Sequence, residues 1–589
     1  MLVVFLVFLG LAGVIIGQIV HLQFFSDYKD RLDQIVYRTV EVPAYRGSIL
    51  GYDRTVLAIS VPFYEIRMDC AVASDSVFNR NIEALSVQLA NLFQNKSARE
   101  YKQEITKARL EKRDGYRNLL IGNRAVSYEE LTRLQQFPIF RLGQFGGGLI
   151  TVTKDKRVYP YGRLAFRTLG YVADDDKVGA GIEFKYNNYL KGTPGLQRMR
   201  RRSGDDKWVP LANDPERAPK DGLDVLSTLD IDIQGAASRA LQYQLELDPL
   251  FEGGCAVVME VQTGAVRAIV NMKKKGDGTY DETYNYAIGE STNPGSTFKL
   301  ATLICLLEDN YVRLTDSVAT GRAGWPYYGH TFTESSGGYG TITVQQAFEK
   351  SSNVAFAKLA VEYYGTQEKK YINRLYNMKL NEKLDIELLG EGRATIPFPD
   401  DKSWSKLSLP MIAMGYEMGL TPLHTLTLYN AVANNGKLMA PYFIEGLMQH
   451  GQMVEKKEHT PLSNAICTQA TLDAVRQALR GVVTHGTAKR IDDPRYAISG
   501  KTGTSQLALP GGGYRDAQGY RRHQASFVGF FPSDDPKYSM IVVLYSGKTQ
   551  GNFYGATWAA PVFKQVADHI YKTHPYWNQP INNEMYAAK

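Results

Sequence analysis

The chain is poor in cysteine. Its 589 residues hold four, Cys70, Cys255, Cys305 and Cys467. They are far apart and form no Cys-x-x-Cys pair, so neither a zinc-ribbon nor a dithiol redox spacing exists. Cys255 and Cys305 lie in apolar runs and read as small core residues, and no structural disulfide is expected. His-Glu-x-x-His, a phosphate-binding glycine loop and a Gly-x-Ser-x-Gly elbow are all missing, which leaves metal-assisted hydrolysis, nucleotide chemistry and a Ser-His-Asp hydrolase without support. A strong charge of either sign is missing too: 68 Lys and Arg against 61 Asp and Glu give a net +7. So mild an excess does not point to nucleic acid, although it suits a protein beside an anionic membrane.

Charged residues are absent from the first 22 positions, MLVVFLVFLGLAGVIIGQIVHL. That run is longer than the roughly 7–15-residue apolar core of a cleaved signal and fits a transmembrane anchor, residues 1–22. Gly10, Ala12, Gly13 and Gly17 would allow close contact with a second membrane helix. No basic flank precedes the span, so the positive-inside rule does not fix its orientation.

What is present is an ordinary globular composition, 44% hydrophobic and 22% charged. The length exceeds one core of about 250–300 residues, so more than one domain is expected. A first region, 26–221, mixes strand-like pieces (40–43 and 45–58) with amphipathic, helical-looking sequence over 80–136. Its basic run Arg198, Arg200, Arg201 and Arg202 reads as a solvated face. A Pro-, Asp- and Gly-rich coil over 205–222 marks a boundary, and a second region, 223–589, follows. There Ile231–Leu247 reads as a helix, and Cys255–Val261 and Ala265–Val270 as a hairpin turning at Gly264. Ser526–Phe531 and Tyr538–Tyr545 read as another strand pair and Ala559–Tyr571 as a closing helix. Strands at both ends with helices between predict a multidomain α+β protein whose antiparallel sheet, flanked by helices, joins its first and last segments.

The chemistry centres on Asn293-Pro294-Gly295-Ser296-Thr297-Phe298-Lys299-Leu300. Pro294-Gly295 is a turn, and Phe298, Leu300, Ala301, Leu303, Ile304 and Leu307 follow at helical spacing, which places Ser296 in the first turn of a buried helix. Ser296 and Lys299 then share one face. A lysine deprotonates a serine only when burial or nearby positive charge lowers its pKa from about 10.4. Ser-x-x-Lys also occurs at Ser26–Lys29 and Ser403–Lys406, but neither opens a long helix. In Lys350-Ser351-Ser352-Asn353, Ser351 offers a hydroxyl that can pass a proton and Asn353 both a donor and an acceptor for an amide. In Ser499-Gly500-Lys501-Thr502-Gly503-Thr504, read as a strand, Lys501 adds positive charge and Thr502 and Thr504 add hydroxyls suited to a carboxylate. Gly503 would let a substrate backbone approach closely. Alone, each of these two stretches is equally a loop or a surface strand.

Ser-Thr-Phe-Lys, Ser-Ser-Asn and Lys-Thr-Gly-Thr, in this order after a membrane span, resemble the penicillin-binding protein transpeptidases. Gly181-Ile182-Glu183 through Gly195 looks like the family's pedestal, and Asp224 through Gln234 like the entry to its catalytic domain. Arg46-Gly47-Ser48-Ile49 with Asp53-Arg54 looks like the membrane-proximal motif of the class B members. The resemblance implies an elongated pedestal (dimerisation-like) domain and a serine acyl-enzyme. It implies Ser296 as nucleophile, Lys299 as base and Ser351 as proton relay. It further implies N–H groups of Ser296 and Thr504 as oxyanion hole, Asn353 on the donor amide, Thr502 and Thr504 on the terminal carboxylate, Lys501 as a catalytic and substrate-binding group and Gly503 as substrate-binding. The substrate would be a peptidoglycan stem, cross-linked 4→3, with β-lactams as inhibitors and with no metal or cofactor.

Lys350–Ala360, Met414-Gly415-Tyr416 through Leu423, and Tyr554 through Phe563 look more like the septal, cell-division members than the elongation type. That kinship implies a multi-span glycan polymerase and division proteins as partners, and a single-pass place in the bacterial inner membrane with the bulk of the chain periplasmic. No glycosyltransferase domain fits into 26–221, and no C-terminal repeat module is expected after the closing helix. An elongation-type transpeptidase, a β-lactam-hydrolysing or sensing relative and a catalytically silent scaffold are the alternatives. The loop from Gln506 to His523 is expected to be mobile and to border the cleft.

Overall fold

The computed structural model describes residues 2–21, 37–112, 115–173, 175–201, 208–334, 337–508, 513–551 and 553–573. The apolar N-terminal stretch forms the helix Leu2–Val20, none of it buried, and it is long and apolar enough to cross a membrane. At 1.5 Å per residue it spans roughly 28 Å, close to the hydrocarbon thickness of a bilayer. The chain divides into two compact units, Ala58–Pro160 and the sequence on either side of it.

In the smaller unit the strand Val56–Met68 pairs antiparallel with Leu149–Val158, Ile59 opposite Val158 and Met68 opposite Leu149. It pairs also with Leu119–Val126. The helix Asp75–Phe93 buries Phe78, Ile82, Leu85, Leu89 and Phe93 at helical spacing against Ile66, Met68 and Ile121. A reciprocal capping box between Ser97 and Glu100 starts the helix Ala98–Glu111. The strand Leu119–Val126 interrupts the helical sequence expected over 80–136. Its apolar run is too short for periodicity to decide, and cross-strand pairing wins. Gly122, at φ +81, has no room for a side chain, whose Cβ would lie 2.3 Å from the Phe93 ring.

In the larger unit, Arg46 forks onto Glu183 (Nη2–Oε2 2.5 Å) and Asn187 (2.6 Å to Oδ1). The Ser48 N–H donates to Asp224 Oδ1 at 2.6 Å, and a Cβ at Gly47 would lie 2.0 Å from the Leu223 carbonyl. The segments around 46–48, 183–187 and 223–224 therefore lock together. The strands Tyr37–Val42, Gly195–Arg201 and Trp208–Arg217 form a three-stranded sheet. Arg198 stands opposite Thr39 in this sheet and lies 4.8 Å from the Tyr37 ring. Arg202 lies outside the described residues, as do Ser26 and Lys29.

A six-stranded antiparallel sheet organises the rest, in the order Tyr280–Asp281, Val266–Lys274, Phe251–Glu260, Tyr538–Ser546, Arg522–Phe531, Ser499–Leu507. Its first long strand pairs with its last, Cys255 opposite Val543, the closure expected from strands at both ends of the region. Side chains alternate between faces. Phe527 and Phe531 meet Phe563 of the helix Ala560–Thr573. Ser539, opposite Phe530 on the other face, bonds Asn430 of the helix Pro422–Ala433. With both faces covered, every residue of Tyr538–Ser546 is buried, and the strand reads as a continuous apolar run rather than an alternation. The helix Pro422–Ala433 is buried on all sides, capped by Thr421 and opened by proline. Having no polar face, it gives no amphipathic signal.

Candidate active site

Ser296 lies in the 3-10 turn Gly295–Phe298, which runs into the helix Lys299–Glu308. That helix is buried from Lys299 to Leu306, and the hydroxyl of Tyr429 on the neighbouring helix anchors its entry by donating to the Thr297 carbonyl at 2.7 Å. Gly295 needs its glycine: φ is +59, and a Cβ would lie 2.9 Å from the Thr504 carbonyl. Gly503, in the edge strand Ser499–Leu507, is equally constrained, since a Cβ there would lie 2.2 Å from Ser526 Oγ and 2.8 Å from Thr297 Cγ2. The space beside Gly503 is thus filled by the protein's own turn and neighbouring strand. The two glycines bring the backbone of 295–297 against that of 503–505, where the expected oxyanion donors, the N–H groups of Ser296 and Thr504, reside. On an edge strand alternate N–H groups point away from the sheet.

Lys299 has 0% exposure. Its Nζ lies 2.7 Å from the Ser351 carbonyl, 2.7 Å from Asn353 Oδ1, 3.1 Å from Ser296 Oγ and 3.4 Å from Ser351 Oγ. Burial pulls its pKa down to about 7, against the opposing pull of the Glu334 carboxylate. The positive end of the helix dipole works in the same direction as burial. A neutral amine has two N–H donors and one lone pair. The Ser351 carbonyl and Asn353 Oδ1 can only accept, so they take the two donors and leave the lone pair for the Ser296 hydroxyl. In that arrangement a neutral Lys299 has its lone pair available to the Ser296 hydroxyl.

Ser351 and Asn353 reach the lysine across a sharp reversal between the helices Val344–Glu349 and Asn353–Tyr364. Ser351 sits at φ +60 in this reversal, a left-handed conformation that costs a non-glycine residue on the order of 1 kcal/mol and clusters at functional sites. Ser352 caps the second helix by accepting from the Ala355 N–H at 3.0 Å. Lys501 also has 0% exposure, and its Nζ donates to the Thr502 carbonyl at 3.1 Å. Burial and the neighbouring Lys299 charge hold its pKa well below the ordinary lysine value. The Thr502 hydroxyl pairs with Thr487 Oγ1 at 2.7 Å, and Thr504 Oγ1 accepts from the Gly555 N–H at 3.3 Å.

The structure therefore gathers Ser296, Lys299, Ser351 and Asn353 through direct hydrogen bonds. It lays Lys501, Thr502, Gly503 and Thr504 along the strand beside them. Ser403–Lys406 precedes only the six-residue helix Ser408–Ala413. Tyr514, from the loop expected to border the cleft, accepts from Asn293 Nδ2 at 3.1 Å; Gly511 and Gly512 of that loop lie outside the described residues. Sequence reasoning misses Glu334 and Thr487. Each acts on a residue at least 15 positions away, and no local pattern marks either. Among the described residues, no group of three or more His, Cys, Asp or Glu is arranged to hold a metal ion.

The site thus sets a serine hydroxyl against a buried amine, with an asparagine bonded to that amine and a polar edge strand alongside. Residues 254–568 match the family described as penicillin binding protein transpeptidase domain, and residues 41–226 the penicillin-binding protein dimerisation domain. The chain belongs to the penicillin-binding protein transpeptidase family. It is similar to stage V sporulation protein D of Bacillus subtilis, 26% identical over 497 residues that cover 82% of this chain and 72% of that protein. It is similar also to the probable peptidoglycan D,D-transpeptidase PenA of Neisseria meningitidis, 24% identical over 91% of this chain and 86% of that one. A third relative is the peptidoglycan D,D-transpeptidase FtsI of Buchnera aphidicola, 23% identical over 72% of this chain and 71% of that one. Among solved structures the fold resembles penicillin binding protein 2X from Streptococcus thermophilus, with TM-score 0.72, 18% identity, and 92% of this chain and 81% of that one covered.

Proposed function

We propose that this chain is a membrane-anchored peptidoglycan D,D-transpeptidase of the septal type, acting through an acyl-enzyme on Ser296. The observation that carries the reading is the buried Lys299 amine, held by two obligate acceptors with its third contact on Ser296 Oγ at 3.1 Å. As Ser296 Oγ bonds to the carbonyl carbon between the two terminal D-alanines, Lys299 takes its proton. N–H groups of Ser296 and Thr504 stabilise the oxyanion. The C–N bond then breaks, and the proton passes through Ser351 to the leaving D-alanine amine. Asn353 holds the donor amide, and Lys501, Thr502 and Thr504 attract the terminal carboxylate. An amine of a neighbouring stem attacks the ester carbonyl, the C–O bond to Ser296 Oγ breaks as the new amide forms, and the proton that the amine gives up returns to Ser296.

Residues 1–22 serve as the anchor, 26–221 as pedestal and 223–589 as catalytic domain, with the bulk of the chain on the periplasmic side of the inner membrane. The likeness of Lys350–Ala360, Met414–Leu423 and Tyr554–Phe563 to septal members supports the division role, with a glycan polymerase and division proteins as partners. The presence of all six polar groups, Ser296, Lys299, Ser351, Asn353, Lys501 and Thr502, speaks against a silent scaffold. The test is turnover of a donor stem peptide ending in D-alanyl-D-alanine with an amine acceptor: the full-length protein releases D-alanine, and folded Ser296→Ala releases none. Equal release by that variant refutes the assignment.

A further inference from the structure

Glu334 belongs to none of the three motifs and comes 18 positions before Ser352, yet it reaches the centre of the site. It follows the hairpin of strands Trp325–Tyr327 and His330–Phe332. That hairpin is firmly seated: Trp325 stacks on Tyr327 at 4.8 Å, and Phe332, 2% exposed, packs with Val354, Ala357 and Met414. One Glu334 oxygen accepts from the Asn353 N–H at 2.9 Å. The other accepts from the Val354 N–H at 3.3 Å and from the hydroxyl of Ser352, which is itself 0% exposed. The preceding residue contributes as well, since the Thr333 carbonyl accepts from Asn353 Nδ2 at 3.2 Å. The Asn353 amide is thereby fixed at both ends, Nδ2 on Thr333 and Oδ1 on Lys299.

We propose that Glu334 is a positioning residue of the acylation centre: it clamps the Ser352–Asn353 turn in register with Lys299 and supplies the negative charge that the lysine amine feels. The proposal rests on the reading of Ser296 and Lys299 as nucleophile and base. Burial drives Lys299 toward the neutral form and Glu334 is the charge that opposes it; the other charge facing the amine is Lys501, across the cleft on the edge strand. Charged groups on the surrounding elements are engaged elsewhere. Glu308 bonds Thr468 and Thr471, Asp309 bonds Arg374, Arg476 the Val432 and Ala433 carbonyls, Arg480 the Ile498 carbonyl, and Lys358 the Ala319 carbonyl. Glu334 thus couples geometry and charge: losing it loosens Asn353 and at the same time makes Lys299 easier to deprotonate.

The test is the second-order rate of acylation of the full-length protein, in detergent, by a fluorescent penicillin as a function of pH. In the wild type the rate rises through an acid limb centred near pH 7, where Lys299 loses its proton. Glu334→Gln is predicted to move that limb about one unit lower, as expected for loss of one nearby charge, and to lower the plateau at least tenfold. Ser352→Ala keeps the carboxylate and is predicted to lower the plateau with the limb unmoved. If Glu334→Gln does not fold, Glu334→Asp, which retracts the charge by one methylene, is predicted to move the limb lower by a smaller amount. A folded Glu334 variant with an unmoved limb overturns the proposal, whatever its plateau. A wild type that forms no Ser296 adduct instead removes the reading beneath it, so the two failures are distinguishable.

Discussion

In the proposed mechanism the chemistry turns on Lys299, because an amine sealed from water is costly as a cation. Its folded pKa of about 7 lies well below the ordinary 10.5. Between those values the unfolded chain binds a proton that the native chain does not, so this residue's contribution to stability rises as pH is raised from about 7 toward 10.5. The size is several kcal/mol at about 1.4 kcal/mol per pKa unit. Denaturant unfolding at stepped pH should show a wild-type stability that climbs across this window relative to Lys299→Met, which has no proton to lose. A constant difference between the two proteins would mean that Lys299 is not depressed. Ser-x-x-Lys is legible in the sequence, but three copies of it are, and what separates Ser296 from Ser403 is the helix behind it and the second pair of acceptors that reach its lysine. Those acceptors come from 52 and 54 positions away. Glu334 and Thr487 leave no local mark at all, since their partners are chosen by the tertiary fold.

At the scale of elements, the site is a turn, a reversal and an edge strand pressed together, and glycine sets the closeness of that packing. Gly503→Ala introduces a Cβ 2.8 Å from Thr297 Cγ2 and 2.2 Å from Ser526 Oγ, so the strand has to retreat from the nucleophile turn. Overpacking of this kind costs about 1–3 kcal/mol. We expect a lower melting temperature together with a fall in the acylation rate far larger than any change in secondary structure by circular dichroism; full acylation by the variant would show that the strand's distance from Ser296 is unimportant. Four strands of the six-stranded sheet, Phe251–Glu260, Val266–Lys274, Arg522–Phe531 and Tyr538–Ser546, and the flanking helices Ile231–Glu246 and Ala560–Thr573 were readable, because their apolar runs and periodicities are long. The two-residue strand Tyr280–Asp281 is too short to leave a pattern. Leu119–Val126 and Pro422–Ala433 were not readable either. The first is a short apolar run inside helical sequence, decided by pairing with a strand more than 50 positions earlier. The second is a helix without a polar face, whose burial on all sides removes the pattern by which helices are recognised.

At the scale of the whole molecule, an exposed apolar helix long enough to cross a membrane precedes the folded units. Deleting residues 2–21 should move the protein from the membrane pellet to the soluble fraction and leave penicillin acylation within twofold of the full chain. Retention in the pellet would show a second membrane contact. Within the larger unit the Arg46–Glu183 pair ties the segment around 46–48 to that around 183–187, a link between two sequence motifs that were each recognisable but whose contact was not. Activation of Ser296 by the buried Lys299 requires Ser296 to be the residue that is acylated. Its most direct test is to incubate the full-length protein with penicillin, digest it and map the adduct by mass. A long-lived adduct on Ser296, absent in Ser296→Ala, is expected. A folded protein that takes up no penicillin, or carries it on another residue, would contradict it.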